Sequence, residues 1–262
     1  MPYVNLGAYK FYYTEYGDKN NQPVVLLHAF TLDSRMWEAD ARELSKQYYV
    51  IAIDAKGHGK SDAPESGYTR DERVTDLEQV LNLLELPKVH LVGLSYGGTT
   101  ALGFALKLPE RLYSLTLIGT SAGGYKLGTK MSKIDEIAKN QGVEVAKERW
   151  IKSSLLWYTN EQEHIRKLVE TMMLEHSGAV WKDPVRGYYP QLNDIEIVNS
   201  ITTPTKIMVG DSDKIFLPLS KILHKSILNS ELTIIPDCGH LVNLEKPEVF
   251  QQELLEFLNK SR

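Results

Sequence analysis

Cysteine is nearly missing from this chain of 262 residues: Cys238 is the single one, so no internal disulfide can form. Long apolar runs are missing too. No stretch of about 18 apolar residues occurs, which argues against a membrane-spanning helix. The first ten residues lack the basic-then-apolar pattern of a secretory signal. An excess of positive charge is also absent, since the formal net charge is −4. That speaks against a nucleic-acid-binding or membrane-surface protein. Neither His-Glu-x-x-His nor a Cys/His pair at ligand spacing occurs, so no metal is expected, and no cofactor. These absences together fit a cytoplasmic protein, monomer or homodimer, working on a small molecule.

What is present is ordinary for a globular chain: 42% hydrophobic and 24% charged residues. The length suits one large α/β domain, or one core with an insertion. Ala8 to Tyr16 alternates as an early strand or hairpin arm. Val24 to His28 is a short, continuously apolar strand of the kind buried on both faces. Asp33 to Tyr48 carries helical spacing, with Asp33 or Ser34 as its cap. Tyr49 to Ile53 reads as a strand, and Asp54 to Ser61 as a glycine-punctuated loop. Thr69 to Leu86 is a long amphipathic helix closed by Pro87. Further strands are expected at Val89 to Leu94, Leu115 to Ile118, Thr205 to Val209 and Leu232 to Ile235, and a terminal helix at Glu248 to Leu258. Strands alternating with helices predict a mainly parallel, doubly wound sheet. Between Gly123 and Pro190 the pattern turns helical and aromatic, which predicts an insertion packed on the core.

The chemistry centres on Gly93-Leu94-Ser95-Tyr96-Gly97. A serine wedged between a strand and a helix is forced into a tight backbone. Glycines two before and two after it remove Cβ atoms that would collide there. The helix N-terminus behind it favours developing negative charge. Ser95 is therefore the candidate nucleophile, and a serine hydroxyl needs a base. His240 follows the last strand, on the sheet edge where Ser95 also lies. His58, in another post-strand loop, is its rival. The chain order serine, acid, histidine of such elbows favours His240. His90 is read as a packed strand residue, and His164, His176 and His224 as helical surface residues. The acid should lie in Gly210-Asp211-Ser212-Asp213. Asp213 is preferred because the loop must turn before it can aim a side chain back, and Asp211 reads as a turn former. Two backbone N–H groups for an oxyanion are expected at Tyr96 and at Phe30, in the loop after Val24–His28.

These residues, with His28-Ala29-Phe30, Asp54 to Ser61, Gly93 to Gly98, Gly210 to Asp213 and Gly239-His240, make the chain resemble the α/β-hydrolase superfamily. The resemblance covers essentially the whole chain. It implies an α/β-hydrolase fold, with core residues 1–122 and 191–262 and a helical cap at 123–190. It also implies a Ser95–His240–Asp213 triad, since the family acid is the last residue of Gly-x-x-Asp. The family's usual His-Gly is His-Ala here, so Ala29 must take up the loop's backbone without glycine's freedom. Asp33 to Trp37, the Asp54 loop and the cap pattern look most like 3-oxoadipate enol-lactonases and their esterase relatives. The resemblance thus implies hydrolysis of small carboxylic esters or lactones. C–C bond hydrolases and cofactor-free haloperoxidases or perhydrolases share the motifs, and some relatives are non-catalytic binding modules. Tyr125 and Trp157 are the expected pocket residues in the cap.

Overall fold

The structure, a computed structural model, describes residues 2–125, 130–153, 155–183 and 193–261. Eight strands form one sheet: β1 (Tyr3–Leu6), β2 (Tyr9–Tyr16), β3 (Pro23–Leu27), β4 (Tyr49–Ile53), β5 (Val89–Leu94), β6 (Leu112–Ile118), β7 (Thr205–Gly210) and β8 (Ser230–Ile235). Their order across the sheet is β1-β2-β4-β3-β5-β6-β7-β8. The β1–β2 and β2–β4 pairs are antiparallel, and every pair from β4 to β8 is parallel. The central strands β3 and β4 are almost wholly apolar because both faces are covered. Alternate residues divide between two cores. Val24, Leu26, Val50, Ala52, Val92 and Leu94 face one, and Val25, Leu27, Ile51, Ile53, Leu91 and Val89 face the other.

The first core is closed by α1 (Glu38–Leu44) and α12 (Pro247–Lys260), through Ala41, Leu44, Phe250, Leu254 and Leu258. The second is closed by α2 (Arg70–Leu83), α3 (Tyr96–Lys107) and α10 (Leu217–Ser226), through Val74, Leu77, Ala101, Phe104, Leu219 and Leu223. Burying a Leu or Phe side chain of this kind contributes about 1.5–3 kcal/mol. Helix α2 starts where its sequence dictates. The Thr69 hydroxyl accepts from the Glu72 N–H, and the Glu72 carboxylate accepts from the Thr69 N–H, a reciprocal cap.

Two elements differ from the sequence expectation. Tyr3–Leu6 is a strand of its own, joined to β2 through Gly7 at φ 57°. The segment after β3 is not one helix from Asp33 but a 3₁₀ turn, Ser34–Trp37, followed by the short α1. The cause is competition for its first donors. Asp33 accepts from the Arg35 N–H at 3.0 Å, and the Ser34 N–H goes to Asp54 Oδ1 at 2.7 Å. That ties the segment to the loop after β4.

Between β6 and β7 the regular elements among the described residues are all helical: α4 (Lys130–Gln141), α5 (Val143–Ile151), α6 (Trp157–Asn160), α7 (Glu163–Glu175), α8 (Ala179–Lys182), α9 (Asp194–Ile197) and a 3₁₀ turn, Val198–Ser200. This segment touches the rest through specific bonds. Trp150 Nε1 donates to Thr31 Oγ1 at 2.9 Å, Ser177 Oγ to the Gly57 carbonyl at 2.9 Å, and Thr159 Oγ1 to Glu245 Oε1 at 2.5 Å. The remaining short helix, α11 (Val242–Glu245), precedes α12. Among the described residues, no helix is long and apolar enough to cross a membrane.

Candidate active site

Ser95 is the only residue between β5 and α3, at φ 53° and ψ −105°. A non-glycine residue held there stores on the order of 1–3 kcal/mol, which the surroundings must impose. They do so by close approach. A Cβ on Gly93 would stand 2.5 Å from the Gly97 carbonyl oxygen, and one on Gly97 would run into the Leu27 carbonyl of β3. The Ser95 N–H donates to the Ile118 carbonyl at 2.8 Å, and its carbonyl accepts from Thr120 Oγ1 at 3.0 Å. The elbow is thus clamped between β3 and the end of β6.

The loop after β3 lies against the same turn. Gly97 N–H donates to the His28 carbonyl at 3.0 Å. His28 Nε2 accepts from the Ala55 N–H at 2.9 Å, so its hydrogen sits on Nδ1, which donates to the Ala29 carbonyl at 2.8 Å. The imidazole therefore fixes the path of His28-Ala29-Phe30. Phe30 and Tyr96, the two expected oxyanion donors, have ring centroids 5.6 Å apart. The left-handed residue of this loop is Thr31, at φ 63°, so Ala29 has no need of glycine's freedom. Thr31 is held by its own bond to the Phe30 carbonyl at 2.6 Å and by Trp150.

Asp213 and His240 meet in the loops after β7 and β8. His240 Nδ1 lies 2.7 Å from Asp213 Oδ2, and both side chains are almost fully buried. The carboxylate can only accept, so Nδ1 carries a hydrogen and Nε2 is left for proton transfer. Asp213 Oδ1 accepts from the Phe216 N–H at 3.1 Å, and the Phe216 ring stacks on His240 at 4.9 Å. Gly119 fits beneath this pair: a Cβ there would stand 3.1 Å from His240 Nδ1. Its neighbours Ile118 and Thr120 are the residues that hold the Ser95 backbone, so β6 links the two halves of the site.

Asp211 sits apart. It is exposed, and its Oδ1 accepts from the Cys238 N–H at 3.3 Å and from Ser212 Oγ at 3.1 Å. Burial pushes its carboxyl up, but the hydrogen bonds from Asp237, Cys238 and Ser212 together outweigh that and hold it below the ordinary value. It is the turn former. His58, the rival base, is buried with Nδ1 3.1 Å from the Lys56 carbonyl and its ring against Phe30 and Tyr96.

Three further residues shape this site, and none stood out in the sequence. Arg73 Nη1 donates to the Tyr96 carbonyl at 2.8 Å, and its guanidinium carbon lies 3.8 Å over the Tyr96 ring. Glu245, a buried carboxylate, accepts from Gly239 N–H at 2.5 Å, Leu241 N–H at 3.3 Å and Thr159 Oγ1. It brackets His240 from both sides and ties that loop to α6. A carboxylate five residues past the histidine was the available signal. His176, expected on the surface, is instead buried at the end of α7, with its ring 4.6 Å from that of His58. A helix C-terminus that docks on the core buries the residue at its cap, and periodicity within the helix cannot reveal that.

Cys238 lies 3.6 Å from Glu245 Oε2. Burial, reinforced by that carboxylate, pushes its thiol well above the ordinary range, which keeps it protonated and unreactive. Tyr125 packs, half-buried, against the core on the α2, α3 and α10 face. The aromatic residues that meet Phe30 from the helical segment are Trp150 and Trp181, at 5.9 and 5.4 Å. The Trp157 side chain lies outside the described residues. Among the described residues, no group of three or more His, Cys, Asp or Glu is placed to hold a metal ion.

Comparison with known proteins agrees with this architecture. A model of the alpha/beta hydrolase fold matches residues 22–247. A Bacillus subtilis (strain 168) protein, provisionally named 2-succinyl-6-hydroxy-2,4-cyclohexadiene-1-carboxylate synthase, is 30% identical over 92% of this chain and 92% of its own. Carboxylesterase YbfK of the same organism is 26% identical over 98% of this chain and 86% of its own. Among solved structures, a thermophilic esterase from Thermogutta terrifontis superposes with a TM-score of 0.86 at 27% identity, covering 99% of this chain and 97% of that one. The family model spans most of the chain, from ahead of β3 to the start of α12, and the chain therefore belongs to the α/β-hydrolase family, as an enzyme of hydrolase type.

Proposed function

We propose that this protein is a serine hydrolase of small carboxylic esters or lactones, working through an acyl-enzyme. His240 Nε2 takes the proton of Ser95 Oγ as the oxygen attacks the substrate carbonyl. The charge on the carbonyl oxygen is received by the Phe30 and Tyr96 N–H groups. His240, now an imidazolium, is stabilised by Asp213 and gives its proton to the departing alkoxide. In a lactone that alkoxide stays tethered to the acyl chain. Water, deprotonated by the same imidazole, then frees the acid and restores Ser95. The partner is a small organic molecule.

The observation that carries this reading is the buried Asp213–His240 bond, on the sheet edge where Ser95 is held at φ 53°. The esterase and carboxylesterase relatives support the choice of bond. The test is p-nitrophenyl acetate hydrolysis with and without a fluorophosphonate probe. Turnover abolished by one equivalent of probe, with the added mass on Ser95, is the expected result. Turnover by a folded Ser95→Ala protein within tenfold of the wild type refutes it. Activity on a vinylogous 1,5-diketone with none on esters would move the enzyme to C–C cleavage.

A further inference from the structure

Beside the elbow lie two imidazoles for which the reaction above has no use. His58 comes from the loop after β4 and His176 from the end of α7. Their ring centroids are 4.6 Å apart at 67°. Both are more than nine-tenths buried, and the Nε2 of each has no hydrogen-bond partner among the described residues. A buried polar atom left unpaired costs about 1–3 kcal/mol, so a pair of them side by side calls for an explanation.

Their partners on the opposite ring edge fix what each Nε2 offers. His58 Nδ1 faces the Lys56 carbonyl at 3.1 Å, and a carbonyl only accepts. The hydrogen of neutral His58 is therefore on Nδ1, and Nε2 presents a lone pair. At His176 the opposite holds. Its Nδ1 accepts from the Gly178 N–H at 2.9 Å, so its hydrogen is on Nε2. Burial keeps both rings neutral. It pushes His58 well below the ordinary value, helped by the nearby His176, His28 and Arg73, and pushes His176 down to about 3, helped by Lys147 and His28. The two rings thus offer one acceptor and one donor, without charge of their own, with the Phe30, Tyr96 and Trp181 rings packed against them.

We infer that His58 and His176 form a specificity site for an uncharged hydroxyl group on the substrate, which donates to His58 Nε2 and accepts from His176 Nε2–H. A hydroxyl is the smallest group that does both through one atom. One oxygen can serve both nitrogens when they stand within about 5.8 Å of each other, which rings this close permit. A carboxylate is disfavoured, because it cannot donate to His58 and finds no charge on either ring. The Phe30 ring lies against both imidazoles and the Tyr96 ring against His58, and Tyr96 directly follows Ser95, so the pair borders the nucleophile turn. The inference rests on the serine-hydrolase reading.

The experiment compares γ-butyrolactone with its α-hydroxy and β-hydroxy derivatives, and includes p-nitrophenyl acetate as a control. The wild type is expected to favour at least one hydroxylactone over the parent by tenfold or more in kcat/KM. His58→Phe and His176→Phe should each erase that advantage, read as the ratio of hydroxylactone to parent-lactone kcat/KM on the same folded variant. His176→Gln, which can keep a donor near Nε2, and His58→Gln, which can keep an acceptor, should restore part of it. Two-bond ¹⁵N correlation spectra of the imidazoles should show His58 bearing hydrogen on Nδ1 and His176 on Nε2. Equal rates on all three lactones, as expected if the pair only holds a water molecule, overturn the inference. So does a spectrum in which both rings carry hydrogen on Nε2. Failure of p-nitrophenyl acetate turnover in the wild type would strike the hydrolase reading instead. The pair is then read by hydroxylactone binding to Ser95→Ala, where absence of binding above that of the parent lactone overturns it.

Discussion

Asp213→Asn isolates the acid from everything else in the site. The native carboxylate uses its two oxygens for two donors, Oδ2 for His240 Nδ1–H and Oδ1 for the Phe216 N–H. Asparagine has one oxygen and one NH₂. The Phe216 N–H is backbone and can only donate, so the asparagine oxygen must turn toward it. The NH₂ then faces His240 Nδ1, which has to become the acceptor. The imidazole hydrogen is driven to Nε2, and His240 can no longer take the Ser95 proton. The stabilising charge beneath the imidazolium is lost as well. A wrong tautomer of this kind costs about four orders of magnitude in kcat, or about 5 kcal/mol of barrier. Asp211→Asn, at an exposed turn, should change kcat by less than about tenfold. The assay is kcat and KM for p-nitrophenyl acetate on both variants, with thermal melting to confirm folding. Excess hydroxide should recover part of the Asp213→Asn rate, because it competes as base. If folded Asp213→Asn keeps more than a tenth of wild-type kcat, or Asp211→Asn is the more damaging, the assignment of the acid is wrong.

Three other outcomes are expected. Glu245→Ala should lower thermal stability and kcat together, because it strands the Gly239 and Leu241 N–H groups at about 1–3 kcal/mol each; Thr159→Val, which removes one donor to Glu245, should do so more mildly, and unchanged kcat in Glu245→Ala would remove its positioning role. Cys238→Ser should keep at least a tenth of wild-type kcat, a barrier change of about 1.4 kcal/mol or less, since the thiol is protonated and turned toward Glu245. Burial raises the Asp40 carboxyl from 3.8 to about 7, partly offset by the Asn243 and Gln251 amides. The folded state therefore binds its proton more tightly than the unfolded chain, and stability falls as pH rises from about 4 to about 7, by up to about 4 kcal/mol. Asp40→Asn should remove that slope, so its stability relative to the wild type rises across the window in urea melts, and a pH-independent difference would refute the shift.

Local patterning was enough to mark the central parallel strands and the chain order of the candidate site residues. Continuously apolar strands such as Val24 to Leu27 can only be central, because both faces must be covered. Gly93, Ser95 and Gly97 between such a strand and a helix leave the serine one geometry, since a Cβ at either glycine would meet backbone. Asp213 was legible from its distance past β7, and His240 from its place after β8. Tertiary structure decided what depends on surfaces meeting. His176 caps a helix and would be solvated were it not docked on His58, and no periodicity within α7 carries that information. Arg73 lies in the first turns of α2, where a charged residue reads as solvent-facing until Tyr96 and Thr100 close over it. Tyr125 and Trp150 are both aromatic residues of the stretch after β6, but one joins the α2–α3 core and the other meets Phe30. Local patterning sets what each segment becomes, because backbone sterics and hydrophobic periodicity act over a few residues. Which side chains face one another across the site is a property of packing between segments far apart in the chain, and only the folded molecule fixes it.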